Sequence, residues 1–567
     1  MALSELHRAV QQGDLHRVSA ILSESPRRVD IDQADRKGWT PLMYALSNTE
    51  TGTELLSTLI RHGATIDRAS ISYALDDPKK LAVLIESGAD ILYRTEEGYD
   101  ALVDAAYSCD VLHNPRLVEV LELLIANGVP LRGMTTFSES AVRVLSHIGR
   151  FDAVQQLLKA GANPDDIRFT KLIEAVAFGT LADVATVVEG GANLEERDYW
   201  ERTPWLVAIQ TGDISKASFL LEHGSDWSAR GRCDALPLSY AIEHGHVSML
   251  RWLLEIGVDI EQVDDFGHTA LITAVESCNS ESVDLLVAAG ANVNHRSTAG
   301  TVLSFARTRS IAVKLMDAGA DPQHLPSECR RAILGYPSEP DQDLLETSSS
   351  EFQQSRSRRF GTQNPETMNN AFWNGMIRSG IDAYQAGTLF GIEDRFDGTY
   401  TPIWCARRFG QSITSLPDGR IVQVAGEHED SYDPDFCIYN DVFVHTPDGT
   451  VTIYGYPESV FPSTDFHTAT LIGNYIYLIG SLGYPGRRRY GETPVYRLDT
   501  RTFCIEMVQT TGNTPGWIYG HRAVLSAPCE IRVFGGKILS SADGEEVYSE
   551  NSKVFILNIE CRVWHTE

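Results

Sequence analysis

The sequence predicts a multidomain chain: an all-α repeat solenoid over residues 1–330, then an all-β propeller, incomplete or four-bladed, over 400–567. Three observations predict this. At 567 residues the chain is too long for one domain of ~150 residues. A glycine ends a short helical pattern at 63, 88, 128, 161, 191, 224, 257, 290 and 319. Beyond 400, isoleucines at 421, 476 and 531 recur 55 residues apart, each inside a short apolar run.

Composition bounds the rest. Hydrophobic residues make up 43% and charged residues 22%, as in an ordinary soluble protein. Lys and Arg number 48 against 77 Asp and Glu, a formal net charge of −29, so a polyanion is repelled and nucleic-acid binding is disfavoured. No stretch approaches the ~20 apolar residues that cross a bilayer. Met1–Arg8 reads as the start of an amphipathic helix rather than a leader. The nine cysteines form no C-x-x-C, which argues against a disulfide framework or a zinc ribbon and for a reducing cytoplasm.

The glycine intervals are 25, 40, 33, 30, 33, 33, 33 and 29 residues. Each glycine follows an aliphatic pair by three and four positions, from Leu59-Ile60 and Leu84-Ile85 to Leu286-Val287 and Leu315-Met316. The pair marks a helix face that packs on neighbours, and the glycine supplies the left-handed residue that ends the helix. Helix entries follow as Gly38-Trp39-Thr40-Pro41-Leu42, Arg202-Thr203-Pro204-Trp205 and Gly267-His268-Thr269-Ala270-Leu271, with Thr as N-cap and Pro at the first position. Each unit is helix, turn, helix and protruding loop. This resembles ankyrin repeats, in period and in the Thr-Pro-Leu and Leu-Leu-x-x-Gly-Ala-Asp signatures. About ten units are expected over 1–325, with a capping pair near 3–24, a shortened unit between 63 and 88 and an insertion near 108–115. Glu201 stands where the turn glycine usually stands.

The resemblance implies a protein-binding role on an extended concave face. Aromatics near the protruding loops are the candidate partner contacts: Trp39, Tyr99, Tyr199, Trp200, Trp227 and Phe266. Tyr199-Trp200, beside Trp205 and Trp227, is the favoured patch.

Residues 331–365, with Pro337, Pro340 and Ser348–Ser350, read as a flexible polar linker in which Arg356, Arg358 and Arg359 are solvated charge. A connecting segment, 366–399, opens with a helix over 366–389 behind Pro365, with Phe372, Met376 and Tyr384 on one face. The apolar runs that follow end in Gly426, Gly480 and Gly535-Gly536. Second runs lie at 441–444, 494–498 and 553–557, and final strands at 451–453, 503–505 and 563–564. About four strands per ~55 residues is the size of a propeller blade. The region is similar to kelch repeats, with the double glycine and late Trp in the third copy. Ile403-Trp404 could close a fourth blade. Three copies hardly complete a ring, so an open edge needs a cover, for which the 366–389 helix is a candidate.

Phosphate-loop, zincin and nucleophile-elbow motifs are absent from the sequence. Glu427, His428 and Asp430, in the acidic run that continues to Asp435, are weak metal candidates, since carboxylates and a His can hold a divalent cation. His467 and His521, 54 apart, occupy equivalent repeat positions, which accounts for them without a metal. Arg487, Arg488 and Arg489 on a loop tip could clamp carboxylates, either a partner's or those of the helical half. The reading is a non-enzymatic cytoplasmic scaffold with protein partners, no catalytic residues and no cofactor, its two binding modules joined by the linker. The alternative is a kelch-type enzyme acting on a sugar or small molecule. Oligomeric state is not readable.

Overall fold

The computed structural model describes the chain except residues 1–3, 25–28, 36–37, 49–52, 109, 323–324, 337–339, 393–400 and 429–435, with backbone only at 327 and 343–344. Two compact units divide it, Met1–Asp265 and Phe266–Glu567.

The first unit holds eight antiparallel helix pairs among its described residues: Glu5–Gln11 with Leu15–Ser23, Pro41–Ser47 with Thr53–Arg61, and on to Pro237–Glu243 with Val247–Glu255. Short side chains at the caps set where helices begin. Thr40, Thr170 and Thr203 accept an amide N–H three residues on, and Asp67 does so in the shortened unit that has no Thr-Pro entry. All nine repeat glycines of the chain have positive φ, between 85° and 109°, as the helix-ending role requires. The aliphatic pairs contribute the core, which runs unbroken from Leu6 through Leu59, Leu84, Leu124 and Leu157 to Ile167. Each unit alone exposes that face and only stacking covers it.

The second unit begins with two further pairs, Ala270–Glu276 with Ser280–Ala288 and a 3₁₀ turn Val302–Phe305 with Arg309–Asp317. Ten helical pairs are thus present among the described residues of the two units. A helix Ser327–Leu334 follows, and then the sheets. The first sheet pairs Ser412–Ser415, Ile421–Val424, Val442–His445 and Val451–Gly455, all antiparallel. The second pairs Thr468–Ile472, Tyr475–Ile479, Val495–Asp499 and Ile505–Met507. The third pairs Arg522–Ala527, Glu530–Phe534, Val554–Asn558 and Val563–Thr566. Their first strands lie side by side in chain order. Among the described residues no sheet closes into a ring.

Three expectations are corrected. Residues 331–365 are not a free tether. Phe352 is fully buried, Arg358 donates to the carbonyl of Ile438, and the Gly361 amide donates to Tyr456. Buried apolar side chains, Leu345 and Phe352 among them, and several hydrogen bonds to backbone fix a segment whose composition is polar. The helix at 366–389 is a short strand, Glu366–Thr367, and two helices, Ala371–Ser379 and Ala383–Leu389, broken at Gly380 (φ 68°). The strand pairs with the outer strand 451–455, and Phe372, Trp373 and Met376 pack with Trp404, Phe443 and Ile453, so this segment does cover the edge of the first sheet. Ile403-Trp404 forms no fourth sheet: Ile403 makes an isolated bridge to Ser357, and Trp404 stacks on Trp373 at 4.7 Å.

Candidate functional site

The protruding loops of the first unit turn through a left-handed residue. Gly38 and Gly98 supply it where glycine is present, and Ser138, Arg168 and Glu201 adopt φ of 62°, 53° and 61° where it is not. Backbone bonds join three pairs of neighbouring tips, Thr136 N–H to Glu97 O, Tyr199 N–H to Ile167 O, and Arg232 N–H to Trp200 O. That ribbon gathers side chains far apart in sequence. The Tyr199 ring lies under the guanidinium carbons of Arg143 at 3.8 Å, Arg232 at 4.7 Å and Arg168 at 5.7 Å. Arg143 also donates to the carbonyl of Ser138, which ties the tip carrying Phe137 to this cluster. Phe137 is 66% exposed. Arg168 and Arg232 are exposed, and Arg197 donates to the carbonyls of Glu201 and Arg230.

The predicted aromatics divide. Trp39 sits between Tyr44 and Tyr73, with ring centroids near 5 Å, and its carbonyl meets His7 Nε2 at 3.1 Å. The Tyr99 hydroxyl donates to Glu139. Trp200 rests on His147 at 4.3 Å and gives its indole N–H to the carbonyl of Arg143 at 3.1 Å. These residues, with Tyr199, are half-buried and partly committed to holding the repeats together. Trp205, next to the favoured patch in sequence, is wholly buried core. Trp227 is 47% exposed and lies in the turn after helix Ile214–Glu222 rather than at a hairpin tip. Phe266, in the second unit, is 57% exposed at a tip. Phe137 was not among the expected residues. Its signal was its place just before the turn residue Ser138, as Phe266 stands before Gly267.

Behind Trp200 lies a buried polar network. At the end of helix Ala141–Ile148 the Gly149 amide reaches Ser146 O at 3.3 Å, and side chains from later repeats meet the last carbonyls. Arg202 donates to Ser146 O at 2.7 Å, Gln210 to His147 O at 2.8 Å, and His244 Nε2 lies 2.7 Å from Ile148 O. Asp198 pairs with Arg202, both side chains wholly buried, and Asp198 also accepts the amides of Trp200 and Arg202. Gly149 (φ 81°) leaves the room, since a Cβ there would meet His244 Nε2 at 2.5 Å.

In the second unit, Glu427 and His428 form a two-residue strand paired with Cys437-Ile438, and His428 Nδ1 lies 3.1 Å from the carbonyl of Arg407. Asp430 and the acidic run to Asp435 lie outside the described residues. Among the described residues no group of three metal-type side chains assembles. Arg488 is buried, salt-bridged to Glu546 at 2.6 Å and bonded to the carbonyls of Leu482 and Gly483, so it braces its own loop. Arg487 pairs with Glu458 at 3.3 Å, while Arg489 faces Glu492 at 3.8 Å. The carboxylates these three arginines meet, Glu458, Glu546 and Glu492, belong to the sheet region. His467 and His521 repeat one contact: His467 Nε2 lies 2.8 Å from Ser412 Oγ, and His521 Nε2 lies 2.9 Å from Thr468 Oγ1. Each histidine bonds the first strand of the preceding sheet. Burial pushes both imidazoles down to about 3.

Residues 172–264 and 205–297 match the family model for ankyrin repeats, in three copies. No curated protein matches the chain.

Proposed function

With ankyrin repeats established over 172–297, we propose that the chain is a non-enzymatic scaffold whose main partner surface is the hairpin-tip patch of Phe137, Arg168, Tyr199 and Arg232. The observation that carries this reading is the Tyr199 ring beneath three guanidinium groups, Arg143 from helix Ala141–Ile148 and Arg168 and Arg232 from two neighbouring tips. In a chain of net charge −29, such a patch is where an acidic partner segment can approach, and aromatic and Arg side chains are those that dominate interface energy. An exposed Phe beside the basic cluster adds an apolar anchor.

For the sheet region, the proposal is an incomplete kelch-like propeller of three blades. It is supported by three consecutive four-stranded antiparallel units and by the repeated His-to-hydroxyl contact between them. The loops carrying Arg487 and Arg489 are proposed as a secondary contact face. Cytoplasmic placement belongs to the same proposal and rests on the cysteine usage of the sequence. The alternative, a propeller enzyme acting on a sugar or small molecule, has one supporting observation: a cavity beside His467.

A photo-crosslinking residue in place of Phe137, activated in native lysate and read by mass spectrometry, tests the main reading. Enrichment of a discrete protein with an acidic crosslinked segment is expected. Crosslinks to nothing above background would count against it.

A further inference from the structure

The loops that enter the three first strands meet at one place in the second unit. Their backbones are joined, Phe466 N–H to Gly410 O at 2.9 Å and Gly520 N–H to Phe466 O at 2.8 Å. Between this junction and helix Ser327–Leu334 lies a cavity of about 320 Å³. Leu325, Pro326, Phe409 and Phe466 give it apolar walls, and Arg330, Gln411 and His467 are its polar side chains. The volume is at the small end for a ligand site, and a mostly apolar wall with a few convergent polar groups is the usual make-up of one.

Arg330 is the unusual member. Its guanidinium donates to the Arg408 carbonyl at 2.9 Å and reaches Gln411 Oε1 at 3.5 Å, while its buried Nε has no hydrogen-bond partner. Among the described residues no carboxylate pairs with it. The neighbouring buried arginine, Arg408, is paired with Asp441. Desolvation without a counter-charge lowers the Arg330 guanidinium to about 10. His467 is 2% exposed, and its Nδ1 also has no hydrogen-bond partner, Nε2 being engaged by Ser412. A half-buried guanidinium with a buried, unpartnered Nε and a buried imidazole nitrogen, both incompletely satisfied at one cavity, are costly unless something completes them.

We propose that this cavity is a binding site for a small organic carboxylate with an apolar body, its carboxylate on Arg330 and its body against Phe409 and Phe466. The planar guanidinium suits a carboxylate, and Gln411 and the neutral His467 imidazole add neutral hydrogen-bonding groups. A phosphate dianion would bring a second charge that the apolar walls cannot neutralise. The site is independent of the hairpin-tip surface, and its occupancy would place a small-molecule input in the sheet region.

The test is calorimetric titration of the full chain at neutral pH with 3-phenylpropionate, its neutral amide and inorganic phosphate, repeated on Arg330→Met with thermal melting alongside. Expected are saturable binding of the acid, binding of the amide about tenfold weaker or worse, and loss of acid binding in Arg330→Met without a lower melting temperature, since the variant removes a partly desolvated charge whose buried Nε has no hydrogen-bond partner. Equal binding of acid and amide overturns the proposal. So does undiminished binding to Arg330→Met, tighter binding of phosphate than of the acid, or no binding of the acid to the wild-type chain at millimolar concentration.

Discussion

The indole N–H of Trp200 donates to the main-chain carbonyl of Arg143 at 3.1 Å, while the guanidinium of that same Arg143 covers the Tyr199 ring at 3.8 Å. One residue thus receives a tip aromatic on its backbone and stacks on another with its side chain. The tip patch and the framework beneath it are therefore one structure, and substitutions separate into those that loosen the framework and those that change only the surface.

Trp200→Ala belongs to the first kind. It removes a half-buried ring and a hydrogen bond, and a loss of about 2–3 kcal/mol is expected in urea denaturation. Trp200→Phe, which keeps most of the ring and loses the donor, should cost about 1 kcal/mol. Equal effects of the two would mean that the indole N–H is not used.

Asp198→Ala leaves Arg202 charged and wholly buried with no carboxylate. Breaking such a pair costs about 3–5 kcal/mol, so the first unit of this variant should melt well below the wild type. Scanning calorimetry would show this as an early transition separated from that of the sheets.

Gly149→Ala meets two obstacles together, a φ of 81° and a Cβ placed 2.5 Å from His244 Nε2. The conformational part alone costs about 1 kcal/mol, and displacement of His244 from the Ile148 carbonyl adds to it. Gly63→Ala has the same backbone conformation (φ 97°) with nothing near the added methyl, so it should show the conformational part alone. Similar losses of stability for the two would contradict the packing argument.

Acid should unfold the sheet region early. Burial depresses His445, His467 and His521 to about 3, against about 6.5 when unfolded. Above 6.5 all three are neutral in both states and their contribution to stability is complete. As the pH falls from 6.5 toward 3 the unfolded chain takes up protons that the folded chain refuses, and each histidine removes about 1.4 kcal/mol per pH unit. His521→Gln should flatten the fall in denaturation midpoint between pH 6 and pH 4 by about a third. An unchanged slope would show that this imidazole is not held neutral.

What was legible in the sequence was whatever repeats. The aliphatic pairs and their glycines fixed the helix ends, and Glu201, singled out for standing in a glycine's place, does adopt a left-handed conformation. His467 and His521 were correctly read as equivalent positions. What was not legible depends on distant residues meeting. Arg143, Arg168 and Arg232 look like ordinary surface charges until the tips stack. Phe352 and Leu345 are sparse apolar residues in a polar stretch, so composition points to a linker, while the fold buries both in one cluster. Trp200 looked like a free contact because its acceptor, the Arg143 carbonyl, lies 57 residues away. Arg330 stands in no motif, and only the convergence of three strand entries makes a cavity beside it.

The central claim is that partner recognition lies in the arginine-aromatic tips of the first unit, and charge reversal tests it most directly. Arg168→Glu/Arg232→Glu changes two exposed side chains and should leave stability within about 0.5–1 kcal/mol of the wild type, as checked by thermal melting. In affinity capture from native lysate read by quantitative mass spectrometry, the wild-type chain should retain a discrete acidic partner. The folded double variant should lose it, with an affinity about a hundredfold lower. Retention of the same partners at the same strength by the folded double variant would contradict the account.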